Sequence, residues 1–130
     1  MTSESLAQRI IVADDYSDGA AALAELLSLE LSPRVDVVVV HDGAAAVELA
    51  TDRSVQNVVV LDIDMPDMTG IEAAAEIRTS ADSTHAAVLV AMSGDDDLLV
   101  GAQRSGHFQA TFRKPIEVRR LLGLLRGASA

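Results

Sequence analysis

Five short apolar runs recur along the 130-residue chain, and a helical pattern follows each of them. That alternation restricts the fold more than any other feature. The runs are Ile10–Ala13, Val35–Val40, Val58–Leu61, Ala87–Met92 and Ala110–Phe112. The first four are aliphatic and nearly continuous, as strands buried on both faces must be. The fifth is weaker and is placed partly by its position in the series. Between the runs lie stripes at helical spacing. Ala20, Leu23, Leu26, Leu27 and Leu31 make the first, and Ala46, Val47, Leu49 and Ala50 the second. Ile71, Ala74, Ala75 and Ile77 make the third, Leu98, Leu99 and Ala102 the fourth, and Val118, Leu121, Leu122 and Leu125 the fifth. Strand alternating with helix predicts an α/β, doubly wound, five-stranded parallel sheet with helices on both faces.

Helix punctuation agrees. Ser17 or Asp18, Asp42, Thr69, Asp95 or Asp96, and Glu117 stand where helices should begin. A side-chain oxygen or negative charge is favoured there. Gly106 is placed to end the fourth helix, and Pro115 separates the last strand from the last helix. The segments Met1–Ala7 and Gly127–Ala130 are expected to fray.

Composition narrows the function. There are no cysteines, which excludes a thiolate metal site and a cysteine nucleophile and suits a reducing compartment. No signal core or membrane-length apolar run is present, so a cytoplasmic location with no membrane partner is expected. The net charge of -10 makes the chain a poor ligand for nucleic acid phosphates, so no nucleic acid partner is expected. Three aromatic residues, Tyr16, Phe108 and Phe112, are too few for a base-stacking platform. The acidic residues cluster at Asp14–Asp15–Asp18, at Asp62–Asp64–Asp67 and at Asp95–Asp97. Lys114 is the only lysine.

In an open parallel sheet, ligands bind beyond the carboxyl ends of the strands. Asp14 and Asp15 follow the first run, His41 and Asp42 the second, and Asp62 and Asp64 the third. Ser93 and Gly94 follow the fourth, and Lys114 with Pro115 follows the fifth. Carboxylates gathered at one edge repel unless a cation joins them. A hard divalent ion such as Mg²⁺, with its preference for oxygen ligands, meets that need. Such a site holds a carboxylate that can attack phosphorus, a lysine that balances charge and a hydroxyl that donates a hydrogen bond. Taken singly, each residue has a plainer reading as a helix cap, a turn or a surface charge. Those readings leave the coincidence at one edge unexplained.

Asp14-Asp15, then Leu61-Asp62-Ile63-Asp64-Met65-Pro66-Asp67-Met68-Thr69-Gly70, then Met92-Ser93-Gly94, then Lys114-Pro115, resembles the receiver domain of bacterial two-component response regulators. The likeness covers nearly the whole chain, and its pieces come in the family's order. It implies a single receiver domain over residues 1–130, with a core of about 9–126, and the flavodoxin-like strand order 2-1-3-4-5. Asp62 would be the phosphoacceptor, supplied by a sensor histidine kinase or a histidine phosphotransfer protein. Asp15, Asp62 and the backbone carbonyl of Asp64 would bind Mg²⁺, with Asp14 acting through a metal-bound water. Ser93, Gly94 and Lys114 would contact the phosphoryl group, and the Lys114–Pro115 peptide would be cis. A downstream protein target is implied but not identified. Any enzyme activity would be limited to self-phosphorylation and autodephosphorylation.

Two positions depart from the family's pattern. Thr111 stands three residues before the lysine, where an aromatic or histidine is usual. His107 stands where a glycine is usual, with Gly106 just before it. Asp64 and Asp95, each two residues beyond a site residue, occupy positions that tune phosphate lifetime in the family. Two other functions compete. One is a phosphorylation-independent scaffold of receiver type. The other is a phosphatase of haloacid-dehalogenase type, whose aspartate-x-aspartate motif Asp62-Ile63-Asp64 resembles. The placement of Asp14-Asp15 early in the chain and the lack of length for a cap domain count against the phosphatase. Asp95–Asp97 reads as a solvated helix start, and His41, His85 and His107 as dispersed surface or strand-end residues. Arg113, Arg119, Arg120 and Arg126 read as a solvated helix face.

Overall fold

The computed structural model describes residues 7–31, 33–52, 54–80 and 87–128. Strands and helices alternate along them: β1 (Ala7–Ala13), α1 (Ser17–Leu31), β2 (Val35–Val40), α2 (Gly43–Ala50) and β3 (Val55–Asp62). Then come α3 (Gly70–Ser80), β4 (Val88–Ser93), α4 (Asp96–Ser105), β5 (Ala110–Arg113) and α5 (Val118–Ala128). The strands form one parallel sheet in the order β2-β1-β3-β4-β5, the doubly wound, flavodoxin-like arrangement expected. Among the described residues, no helix is long and apolar enough to cross a membrane.

The continuous apolar character of the strands has the expected cause. Ile10 and Val12 of β1 face a core with Leu27 of α1 and Leu121, Leu122 and Leu125 of α5. Ile11 and Ala13, one residue out of phase, face Ala46 of α2 and Ala73, Ala74 and Ile77 of α3. Ile63, Ala91 and Ala102 make a third cluster, which brings α4 onto the sheet. Alanine on α2 and α3 lets those helices lie close to the strands.

The capping signals are realised. Asp42 Oδ1 accepts from the Ala45 N–H at 2.8 Å and caps α2. Thr69 and Glu72 exchange hydrogen bonds of 2.9 and 3.2 Å as a capping box before α3. Asp95 caps α4, which ends on Gly106 in the left-handed conformation at φ 74°.

Several boundaries differ from the sequence expectation. Ala7 does not fray. It pairs with Val55, so β1 and β3 both start three residues before their apolar runs. Polar Gln8, Arg9, Gln56 and Asn57 hide this extension. Asn57, though buried, is satisfied by Arg9 and by the carbonyls of Leu49, Ala50 and Asp52. At the other end, Gly127 and Ala128 continue α5. Met1–Leu6, Ser129–Ala130 and His85 lie outside the described residues. Leu26 falls off the α1 stripe and is 47% exposed.

The unusual turn around His107 has a structural reason. Arg78, in the last turn of α3, donates from Nε and Nη2 to the His107 carbonyl at 3.0 and 2.6 Å. It also reaches the Ala87 carbonyl at 2.6 Å and Gln109 Oε1 at 2.8 Å. Gly106 provides the helix stop, and the His107 carbonyl that follows receives the guanidinium. Arg78→Ala is expected to lower the unfolding free energy by about 1–2 kcal/mol, since partly buried carbonyls lose a charged donor. Urea melts of this variant beside Arg78→Lys check it. The lysine, with no planar fork, should recover only part of the loss.

Candidate phosphoryl-transfer site

The strand register lines up the site. Val40, Ala13, Leu61, Ala91 and Thr111 lie in one row across the five strands. The residues just past that row include Asp14 and Asp62, on adjacent strands β1 and β3. Ser93 ends β4, and Lys114 follows β5 with its N–H donating to the Ser93 carbonyl at 2.9 Å. The Lys114–Pro115 peptide is cis. These residues open onto one cavity of about 550 Å³, lined also by Asp15, Tyr16, Asp64, Gly94 and Asp95. Every site residue expected from the sequence is therefore brought to one place.

Burial divides the carboxylates. Asp14 and Asp62 are 3% and 5% exposed, whereas Asp15 and Asp64 are open to solvent. One carboxylate oxygen from each of Asp14, Asp15 and Asp62 can lie within 4.8 Å of the others. An all-oxygen donor set with two buried acids and one at the mouth fits a hard divalent cation. Asp64 contributes differently: its N–H donates to Asp62 Oδ1 at 3.2 Å. Asp14 Oδ1 likewise accepts from the Tyr16 N–H at 3.0 Å. Each buried carboxylate thus has one oxygen held by the backbone two residues on.

The other oxygens share the lysine. Lys114 Nζ lies 3.0 Å from Asp14 Oδ2 and 3.1 Å from Asp62 Oδ2. One ammonium cannot neutralise two acids. Burial, then the hydrogen bond and charge of Asp14, push the Asp62 carboxyl up to about 6, and Lys114 pulls against them. The Lys114 ammonium is itself held above its ordinary value. Burial acts against it, but the hydrogen bonds and charges of Asp14 and Asp62 outweigh burial.

Ser93 is 2% exposed, and its Oγ accepts from the Asp95 N–H at 3.0 Å. Asp95 Oδ1 accepts in turn from Asp97 and Leu98 at the start of α4. The hydroxyl is therefore tied to the beginning of a helix. Gly94 beside it has open space where a Cβ would stand.

The structure also shows partners that residue types alone do not announce. Thr111 Oγ1 accepts from Gln103 Nε2 of α4 at 3.0 Å, which ties β5 to α4. His41 Nδ1 lies 3.2 Å from the Asp14 carbonyl, which places this strand-end histidine behind the acidic group. The basic residues are not all on a helix face. Arg113 belongs to β5 and pairs with Asp96 at 3.2 Å. Arg120 lies over the Phe112 ring at 5.2 Å, and Arg126 meets Glu30 at 3.4 Å. Asp95–Asp97 is the helix start expected.

The family model described as "Response regulator receiver domain" matches residues 10–126. The transcriptional regulatory protein PrrA of Mycobacterium tuberculosis is 34% identical over 95 residues, covering 73% of this chain and 39% of PrrA. A protein-glutamate methylesterase/protein-glutamine glutaminase of Myxococcus xanthus is 34% identical over 109 residues, covering 83% of this chain and 30% of the esterase. The chain thus spans well under half of these curated relatives, whose names carry different outputs. Among solved structures, a response regulator receiver protein from Pseudomonas putida superposes with a TM-score of 0.76 at 20% identity, covering 97% of this chain and 99% of that one. The latter likeness concerns the fold. The match over residues 10–126 shows that the chain belongs to the response regulator receiver domain family.

Proposed function

We propose that this chain is a phosphorylation-dependent signalling receiver. Asp62 accepts a phosphoryl group from the phosphohistidine of a sensor histidine kinase or a phosphotransfer protein. One observation carries the reading: a buried carboxylate at a strand end, 3.1 Å from the only lysine and grouped with Asp14 and Asp15.

Each neighbour has a task. Asp14, Asp15 and Asp62, with the carbonyl of Asp64, would hold Mg²⁺. When bound there, the ion neutralises phosphoryl oxygens. The Asp64 N–H holds Asp62 Oδ1 and so orients the carboxylate for attack. Lys114 exchanges its bond to Asp62 for one to a phosphoryl oxygen. The Ser93 Oγ already accepts from Asp95, so its own proton is free to donate to the phosphoryl group. Gly94 leaves room beside it. Because Ser93 is tied to the start of α4, closing on the phosphoryl group biases that helix and presents a changed surface to a downstream protein. Catalysis is limited to self-phosphorylation and slow autodephosphorylation, in a cytoplasmic setting. Membership of the receiver family favours this over a phosphatase of haloacid-dehalogenase type.

Incubation with acetyl phosphate and Mg²⁺, read by intact mass, tests the assignment. Wild type is expected to gain one phosphoryl group only when Mg²⁺ is present, and Asp62→Asn none. No gain in wild type would replace this reading with a phosphorylation-independent scaffold.

A further inference from the structure

Tyr16 is exposed to 63%, yet it is not loose. The Cδ2–Cε2 edge of its ring lies against Gly19 in the first turn of α1, where an added Cβ would come within 2.7 Å of Cδ2 and 3.1 Å of Cε2. Glycine weakens a helix relative to alanine. Here it leaves room for that edge of the ring and seats it. The Tyr16 N–H is fixed to Asp14 Oδ1 at 3.0 Å, so the seat is registered to the acidic group.

The ring also lines two cavities. One is the acidic cavity around Asp62. The other, of about 470 Å³, lies beside it against Leu23, Leu26 and Ile116. The chain's other aromatics, Phe108 and Phe112, pack in the core. Tyr16 is therefore the one aromatic face at the mouth of the site.

A phosphohistidine donor brings a planar ring to that mouth. Protonated on its far nitrogen, the ring carries positive charge, and a phenol face attracts such a cation. We propose that Tyr16 is the platform on which the leaving imidazole stacks during transfer to Asp62. The proposal rests on the receiver reading above. As the Asp62 oxygen forms its bond to phosphorus, the phosphorus–nitrogen bond breaks. The imidazole nitrogen keeps that electron pair, and the ring, already protonated on its other nitrogen, departs neutral. Acetyl phosphate has no ring to stack.

The test compares phosphorylation rates with phosphoimidazole and with acetyl phosphate, in Mg²⁺, for wild type, Tyr16→Phe, Tyr16→Ala and Gly19→Ala. The phosphoimidazole-to-acetyl-phosphate ratio is expected to fall roughly two- to fivefold in Tyr16→Ala, the worth of an exposed ring–cation contact. Tyr16→Phe should keep the wild-type ratio. Gly19→Ala should lower it although alanine favours the helix, because the ring loses its seat. An unmoved ratio in Tyr16→Ala, an equal loss with both donors, or an equal fall in Tyr16→Phe overturns the stacking role while leaving Asp62 as acceptor. Wild type that takes a phosphoryl group from neither donor overturns the receiver reading and this proposal with it.

Discussion

Replacing Gly70 with alanine is expected to cost about 1–3 kcal/mol of stability, the usual range for overpacking. Gly70 is buried at the first position of α3. A Cβ there would stand 2.5 Å from the Asp62 carbonyl oxygen, 2.8 Å from Ile63 Cα and 3.0 Å from the Asp62 carbonyl carbon. All three are backbone atoms, and they are anchored. The Ile63 N–H donates to the Met92 carbonyl at 3.0 Å, and the Gly70 N–H to the Ile63 carbonyl at 2.9 Å. Strain released by moving the chain would move Asp62 itself, so uptake of phosphate from acetyl phosphate should fall along with stability. Denaturant melts and intact mass measure the two losses. Gly123→Ala supplies the control. A Cβ there meets nothing within 4 Å, and the exposed helical position should gain up to about 1 kcal/mol. If Gly70→Ala melted like wild type, the close approach of α3 to the end of β3 would be refuted.

Lys114→Met should be the more informative change, because its cost depends on pH. The ammonium is the one cation seen between Asp14 and Asp62 among the described residues. Its loss leaves Asp62, already raised to about 6 by burial and by Asp14, without the group that pulls it down. A carboxyl whose folded pKa is raised favours the protonated native state. Its penalty is absent below the unfolded value and grows as pH rises through the folded one. The variant is therefore expected to approach wild-type stability near pH 4. It should fall behind by about 2–3 kcal/mol above pH 7, a figure below that for a fully buried broken pair because the lysine is half-buried. Added Mg²⁺ should return part of the difference at neutral pH by taking the place of the lost charge. Urea melts across this pH range check the sign. A deficit that is constant with pH would mean that the lysine acts through packing alone.

Much of the fold was legible because the strand centres are apolar on both faces. Ile10–Ala13 and Val58–Leu61 admit no other element of their length between turn signals. The ends of those strands were not legible. Arg9 and Asn57 belong to β1 and β3 only because each finds partners contributed by the other and by α2. The candidate site could be read because parallel strands deliver whatever follows them to one edge. What escaped was contact between elements. Nothing in residue type says that Arg78 crosses to His107, that Gln103 holds Thr111, or that Gly19 lies beside the Tyr16 ring. Those depend on the angle at which a helix meets the sheet, and the apolar pattern does not encode it.

The position of β2 at the outside of the sheet governs how the molecules behave toward one another when crowded. Five of its six residues are valine, among the described residues its backbone is paired only with β1, and Asp36 is its single charge. Such a border invites another strand to join it. The opposing influence is the net charge of -10, which keeps copies apart at low ionic strength. At 0.1 M salt that repulsion extends only about 10 Å, and it shortens further as salt is added. Colloidal stability in concentrated solution is therefore an electrostatic property of the whole surface, guarding the valine-rich edge of the sheet.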